Sequence, residues 1–167
     1  AQMWRKAEEA IVRTKRSLIT LGGWGGYVIF AFDHSVVNRP QQSDFLIEGN
    51  AFYSSSNNKN GSSEPGIVMV SMDRNQNGLP DDVFYELAGS EHADSATMHQ
   101  YALSYYRTPD DHTPTPHTKN ALSDTTYIRW QNNRGEQGYV HKNTFHTQAY
   151  FPLWLSDTIV SFSGTCL

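Results

Sequence analysis

Hydrophobic and polar residues alternate in short runs along most of this chain, and only its start carries a helical period. Trp4, Ala7 and Ile11 recur at three- and four-residue spacing, with Met3 and Ala10 beside them and Arg5, Lys6, Glu8 and Glu9 facing away. That spacing predicts an amphipathic helix over 3–13, with its apolar stripe packed on the flank of the domain. From residue 17 the period shortens. Runs rich in Val, Ile, Tyr and Phe at 17–20, 27–32, 45–49, 67–72, 83–87, 101–106, 127–131, 138–141 and 158–162 are separated by Gly, Pro, Asn, Asp and Ser clusters. Such runs predict strands. In Tyr127-Ile128-Arg129-Trp130 and Tyr101-Ala102-Leu103-Ser104-Tyr105, residues two apart share a face. The expectation is a mainly all-β single domain over 1–167, a β-sandwich of jelly-roll type with a short N-terminal helix. Three long connections are expected at 51–65, 108–124 and 144–156; the last is aromatic, with Phe145, Tyr150, Phe151 and Trp154.

Composition agrees with this and narrows the function classes. Only 18% of the 167 residues are charged and 38% are hydrophobic, but 13% are aromatic, enough to build a core from large rings. The net charge of −4 argues against a nucleic-acid partner, which needs a concentrated basic face. The single cysteine, Cys166, leaves no internal disulfide. No run approaches the roughly 20 apolar residues of a membrane helix. An exported form would carry its signal outside these residues.

The densest chemistry is Asp73-Arg74-Asn75-Gln76-Asn77-Gly78-Leu79-Pro80-Asp81-Asp82. Side-chain oxygens fall at relative positions 1, 3, 5, 9 and 10, with glycine at position 6. Ca²⁺ takes 6–8 oxygen ligands, and this spacing can wrap several around one point. The expected ligands are Asp73, Asn75, Asn77, the Leu79 carbonyl, and either Asp81 or Asp82 as the closing carboxylate. An EF-hand would need Glu where Phe84 stands, and helices where apolar strands flank this loop. The alternative is an Asn-Gly hairpin with no ion. If an ion binds, its role is structural.

Other constellations are weaker. Leu21-Gly22-Gly23-Trp24-Gly25-Gly26-Tyr27 lacks the Gly-Lys-Ser/Thr ending of a phosphate loop and precedes a strand pattern, so it reads as a tight corner. Trp24 is then either a buried corner residue or an exposed stacking platform. The seven histidines show no i, i+4 pair, and one cysteine excludes a Cys-rich zinc site. Asp33, Asp44, Glu48, Asn50 and Glu64 punctuate strand ends, as turn caps and loop braces or as an oxygen-ligand or catalytic set.

Beyond these features, the run 21–36 (Leu-Gly-Gly-Trp-Gly-Gly-Tyr-Val-Ile-Phe-Ala-Phe-Asp-His-Ser-Val) resembles a family of surface lipoproteins of Bacteroides-type gut bacteria, labelled "cell surface protein". So do Asp44-Phe45 with Gly49-Asn50-Ala51-Phe52, Glu64-Pro65-Gly66-Ile67-Val68-Met69-Val70, the 73–82 loop, Tyr85-Glu86-Leu87-Ala88-Gly89-Ser90-Glu91, and Gly138-Tyr139-Val140 leading into Asn143-Thr144-Phe145-His146. The likeness covers nearly the whole chain. Family members continue past the position of Cys166, so the resemblance implies a chain shortened at its C-terminus. It also implies an exported, outer-membrane or cell-surface home, a lipid anchor outside these residues, and a role in nutrient capture. Some members are encoded near vitamin B12 uptake systems, which implies a corrinoid ligand and an outer-membrane transporter partner, with His34, His141 and His146 the histidines able to approach cobalt. Nothing in the composition or spacing itself shows a corrinoid site.

The function expected is therefore a non-catalytic surface binding module with a Ca²⁺ loop, taking a corrinoid, another small molecule or a glycan. Its ligand-binding residues are expected to be Trp24, His34, His146, Tyr150 and Trp154, which combine aromatic faces with polar groups. The alternatives are a polysaccharide hydrolase using two of Asp33, Glu48, Glu64 and Glu86, and a structural or adhesion domain.

Overall fold

A computed structural model of the protein describes residues 2–12, 17–54 and 57–166. The chain forms two compact units, Ala1–Gly89 and Ser90–Leu167. Among the described residues the regular structure is mostly strand, in antiparallel sheets, with one short α-helix. Among the described residues no helix is long and apolar enough to cross a membrane.

The first unit holds helix α1 (Gln2–Val12) and two small hairpins. The helix forms where its period predicts; Arg13 and the side chain of Met3 lie outside the described residues. Its stripe is not packed as expected. Trp4 is 68% exposed and Ile11 is also open, while Ala7 is half-buried. Strands β1 (Phe52–Ser54) and β2 (Asn57–Ser62) pair antiparallel inside the segment expected to be a loop; its residues 55 and 56 lie outside the described residues. Across the open end of this hairpin, Asn50 Nδ2 donates to Glu64 Oε2 at 2.5 Å and Glu64 N donates to Asn50 Oδ1 at 3.0 Å. These two residues are thus loop braces. Strands β3 (Met69–Val70) and β4 (Tyr85–Glu86) form the second hairpin.

The runs at 17–20, 27–32 and 45–49 are not strands. Tyr27, Ile29, Phe30 and Phe32 are exposed instead, with Phe30 and Phe32 edge to face at 5.7 Å. β-propensity measures fit to a pleated, half-buried surface, and it creates no strand where no neighbour pairs.

The second unit is one four-stranded sheet of β5 (Met98–Tyr106), β6 (Leu122–Asn132), β7 (Gln137–Asn143) and β8 (Ile159–Cys166), in spatial order β7-β6-β5-β8. Three consecutive strands and a fourth returning beside the first is a Greek key. The register gives the sheet two unlike faces. One carries Leu103 opposite Phe162, Tyr105 between Trp130 and Val160, and Ile128 opposite Val140. The other carries Ser104 beside Ser161, their hydroxyls 2.7 Å apart, and Tyr106 under the Arg129 guanidinium at 4.3 Å. Trp130 lies over Gly138, where an added Cβ would come within 2.8 Å of the indole. Burial, and then the neighbouring Tyr101 and Cys166, push the Tyr105 hydroxyl above its ordinary pKa. The fully buried Ile128 and nearly buried Phe151 mark the core, and both belong to this unit.

Candidate functional site

The 73–82 loop joins β3 to β4 and is closed at its base by Ser71 Oγ donating to the Val83 carbonyl at 2.9 Å. The local sequence shapes it. Asn75 Oδ1 accepts from Asn77 N at 3.0 Å and Asn77 Oδ1 from Leu79 N at 2.8 Å, two successive Asx turns. Asp73 receives Asn77 N and Gly78 N on its two oxygens. Gly78 sits at φ 71, a conformation that glycine adopts without strain. The two acidic residues at the end of the loop differ. Asp81 takes the amide groups of Asn75 and Asn77 at 3.4 and 2.9 Å, whereas Asp82 accepts Arg74 N at the base at 3.1 Å. Among the described residues no group of three or more His, Cys, Asp or Glu side chains is gathered to hold a metal ion. Any ion here would therefore rely on amide and main-chain oxygens beside Asp73 and Asp81. Each amide oxygen has a second lone pair, so Asn75 and Asn77 can keep their turns and still ligate.

The second assembly is the 144–156 connection between β7 and β8. Arg107, at the end of β5, anchors it. Its guanidinium lies 5.0 Å over the Phe151 ring and donates to the carbonyls of Leu155 and Asp157. Phe151 is 5% exposed. Further along, Asn143 Oδ1 accepts Phe145 N and His146 N, fixing the start of the loop. His146 Nδ1 lies 3.0 Å from Asn143 Nδ2. The Tyr150 ring meets Tyr127 edge-on at 5.5 Å, and its hydroxyl accepts Asn143 N. Phe145, Leu153 and Trp154 project from this anchored loop, each 78–79% exposed.

A cavity of about 320 Å³ adjoins it, lined by Thr108, His112, Ser123, Asp124, Tyr127 and Lys142 together with two prolines. Asp124 is 2% exposed and is its best-bound residue. It accepts from His112 Nε2 at 2.7 Å, Thr115 N at 3.2 Å, Thr126 N at 2.9 Å and Thr126 Oγ1 at 3.1 Å. Burial alone would raise its pKa. The hydrogen bonds from the Thr126 and Thr115 amides, His112 and the Thr126 hydroxyl outweigh burial and hold it below the ordinary value. The hydroxyls nearby are committed to main-chain carbonyls: Ser123 donates to Lys142 and Asn143, and Thr108 to Tyr127. His112 and Asp124 therefore form a structural pair.

The expected ligand residues divide between the units. His146, Tyr150 and Trp154 share the 144–156 loop, with the His146 and Tyr150 rings 6.5 Å apart. Trp24 and His34 lie in the first unit. Trp24 is half-buried in the glycine corner. His34 Nδ1 bonds Asp33 at 2.6 Å beside a second cavity of about 390 Å³ that includes Phe32, Arg39 and Phe45. Among the carboxylates considered for hydrolysis, Asp33 and Glu64 are engaged by His34 and Asn50. Sequence reading missed Arg107, Lys142, Tyr127 and the His112–Asp124 pair. The one available signal was the three prolines at 109, 114 and 116, which make the connection turn back.

No protein-family model matches the chain, and neither does any curated protein.

Proposed function

We propose that this chain is a non-catalytic binding module that takes a glycan through the 144–156 loop. The observation that carries the reading is the contrast within that loop: Phe151 is buried beneath Arg107 while Phe145, Leu153 and Trp154 stand open. Exposed aromatic residues on an anchored loop offer sugar rings an apolar face at little ordering cost. The engaged hydroxyls and the fully satisfied Asp124 favour binding over hydrolysis. The adjoining cavity, at about 320 Å³, lies at the small end of ligand sites. That favours a sugar residue over a corrinoid, and with it a glycan-capture role over partnership with a corrinoid transporter. The resemblance to surface lipoproteins motivates an exported, lipid-anchored home. A jelly-roll sandwich is the architecture we infer, supported by the Greek-key order and by the single apolar face, which needs a second layer. A glycan screen by intrinsic fluorescence tests the reading. Saturable binding of at least one glycan is expected; no glycan bound, with tight capture of a protein partner, would contradict it.

The 73–82 loop is, in this reading, a structural Ca²⁺ clamp held by Asp73, Asn75, Asn77, Asp81 and the Leu79 carbonyl. The spacing of Asp73, Asn75, Asn77, Gly78 and Asp81 along the loop motivates it. An ion bound only to the native form stabilises by about 2.7 kcal/mol at 100 times its dissociation constant. Excess chelator should therefore lower the melting temperature, and Asp73→Ala should abolish that response. An unchanged melting curve with chelator would count against the clamp.

A further inference from the structure

The four-stranded sheet ends in two edges of different chemistry. One edge, β7, carries His141 and Lys142. The other, β8, holds no Lys, Arg, Asp, Glu or Pro anywhere in Ile159–Cys166. Its register with β5 runs unbroken from Ile159 to Gly164. Charges, prolines and bulges are the usual means by which an exposed edge is kept from pairing with another chain. Among the described residues no strand lies beyond β8.

The ladder shows which main-chain groups face outward. Arg107 N donates to the Thr158 carbonyl at 2.8 Å, which sets the alternation along β8. Thr158, Val160, Phe162 and Gly164 turn their main-chain groups toward β5. Ile159, Ser161, Ser163 and Thr165 turn theirs outward, and among the described residues no main-chain bond takes them up. Ile159 is 49% exposed, and Ser161 and Ser163 are exposed as well.

We propose that this edge pairs antiparallel with β8 of a second copy of the chain. The strand is complementary to itself. Centred on Phe162, it sets Ser161 opposite Ser163 of the second copy and Ile159 opposite Thr165. All four outward-facing residues of each copy then exchange main-chain bonds. Phe162 meets its own counterpart in a pair without main-chain bonds, the arrangement that brings side chains closest. Val160 falls opposite Gly164, where no side chain crowds it, and no like charges meet. The two-fold axis stands perpendicular to the sheet, so the apolar faces carrying Leu103, Tyr105 and Trp130 lie on one side of a continuous sheet. A foreign strand would gain the main-chain bonds without this side-chain match. One strand pair is a small interface, so the dissociation constant is on the order of micromolar or weaker.

Sedimentation equilibrium on the full chain across the micromolar range tests the pairing. Wild type should pass from monomer to dimer as its concentration rises. Ser163→Pro removes an outward-facing donor from each copy and no bond to β5, a placement that edge strands tolerate. It should weaken the dimer about tenfold or more, as expected for two lost hydrogen bonds, while the monomer's melting temperature stays within the scatter of surface substitutions. Ser163→Lys leaves the main chain intact, guards the edge with charge, and should weaken the dimer likewise. A wild type that stays monomeric throughout would overturn the proposal, even if a foreign extended peptide bound the edge. A dimer that survives Ser163→Pro or Ser163→Lys undiminished would overturn it too.

Discussion

Asp124→Ala should destabilise the second unit by about 3 kcal/mol, because it strands several part-buried donors at once. The Thr115 and Thr126 amides, the Thr126 hydroxyl and His112 all lose their acceptor. Without it the 108–121 connection loses two of its hydrogen bonds to β6, those from His112 and Thr115 N. Urea unfolding followed by near-ultraviolet circular dichroism measures the loss, and a change below about 1 kcal/mol, the worth of one ordinary hydrogen bond, would contradict this account. The same residue gives the unit an acid limit. Its folded pKa lies below its unfolded value, so its stabilisation is complete above the ordinary carboxylate range. Stability should fall as the pH drops below about 4 and the carboxylate takes up its proton. Asp124→Asn should flatten that part of the pH profile; an unaltered acid slope would show that other carboxylates govern it.

Phe151→Ala should cost about 3 kcal/mol or more, the usual consequence of emptying a buried aromatic site. The ring is the apolar anchor of the 144–156 loop, and Arg107 lies over it. Its removal also leaves the guanidinium with only the Leu155 and Asp157 carbonyls to hold. The loop should then lose order, and glycan affinity should fall even at temperatures where the unit stays folded. Thermal melts and titrations on the same variant separate the two effects. A destabilised variant with full affinity would mean that the exposed residues need no such anchor.

The strands of the second unit were legible because their side chains alternate and a pairing partner is available. Tyr101, Leu103 and Tyr105 read as one face, and that is the face that meets Trp130, Val160 and Phe162. The equally apolar run at 27–32 reads the same way but finds no partner, since pairing is a property of the neighbour as much as of the run. The opposite failure occurs at 57–62, where Asn-Asn-Lys-Asn-Gly-Ser looks like a loop yet pairs with β1, because ladder bonds use the main chain. That 73–82 turns between two strands was legible because its hydrogen bonds are local. Its oxygens and their amide donors lie within a few residues of one another. The His112–Asp124 pair was not, because it depends on a proline-rich connection folding back on β6. Nor could the sequence tell buried Phe151 from exposed Trp154; both are aromatic, and Phe151 alone of the two lies beneath Arg107.

Titration of the best-bound glycan into wild type and Trp154→Ala, followed by calorimetry, tests the binding-module reading most directly. Trp154 is 78% exposed, so its removal should leave the melting temperature within the scatter of surface substitutions. Affinity should fall about tenfold or more, as for an aromatic anchor at a binding surface. Undiminished affinity in Trp154→Ala would contradict it.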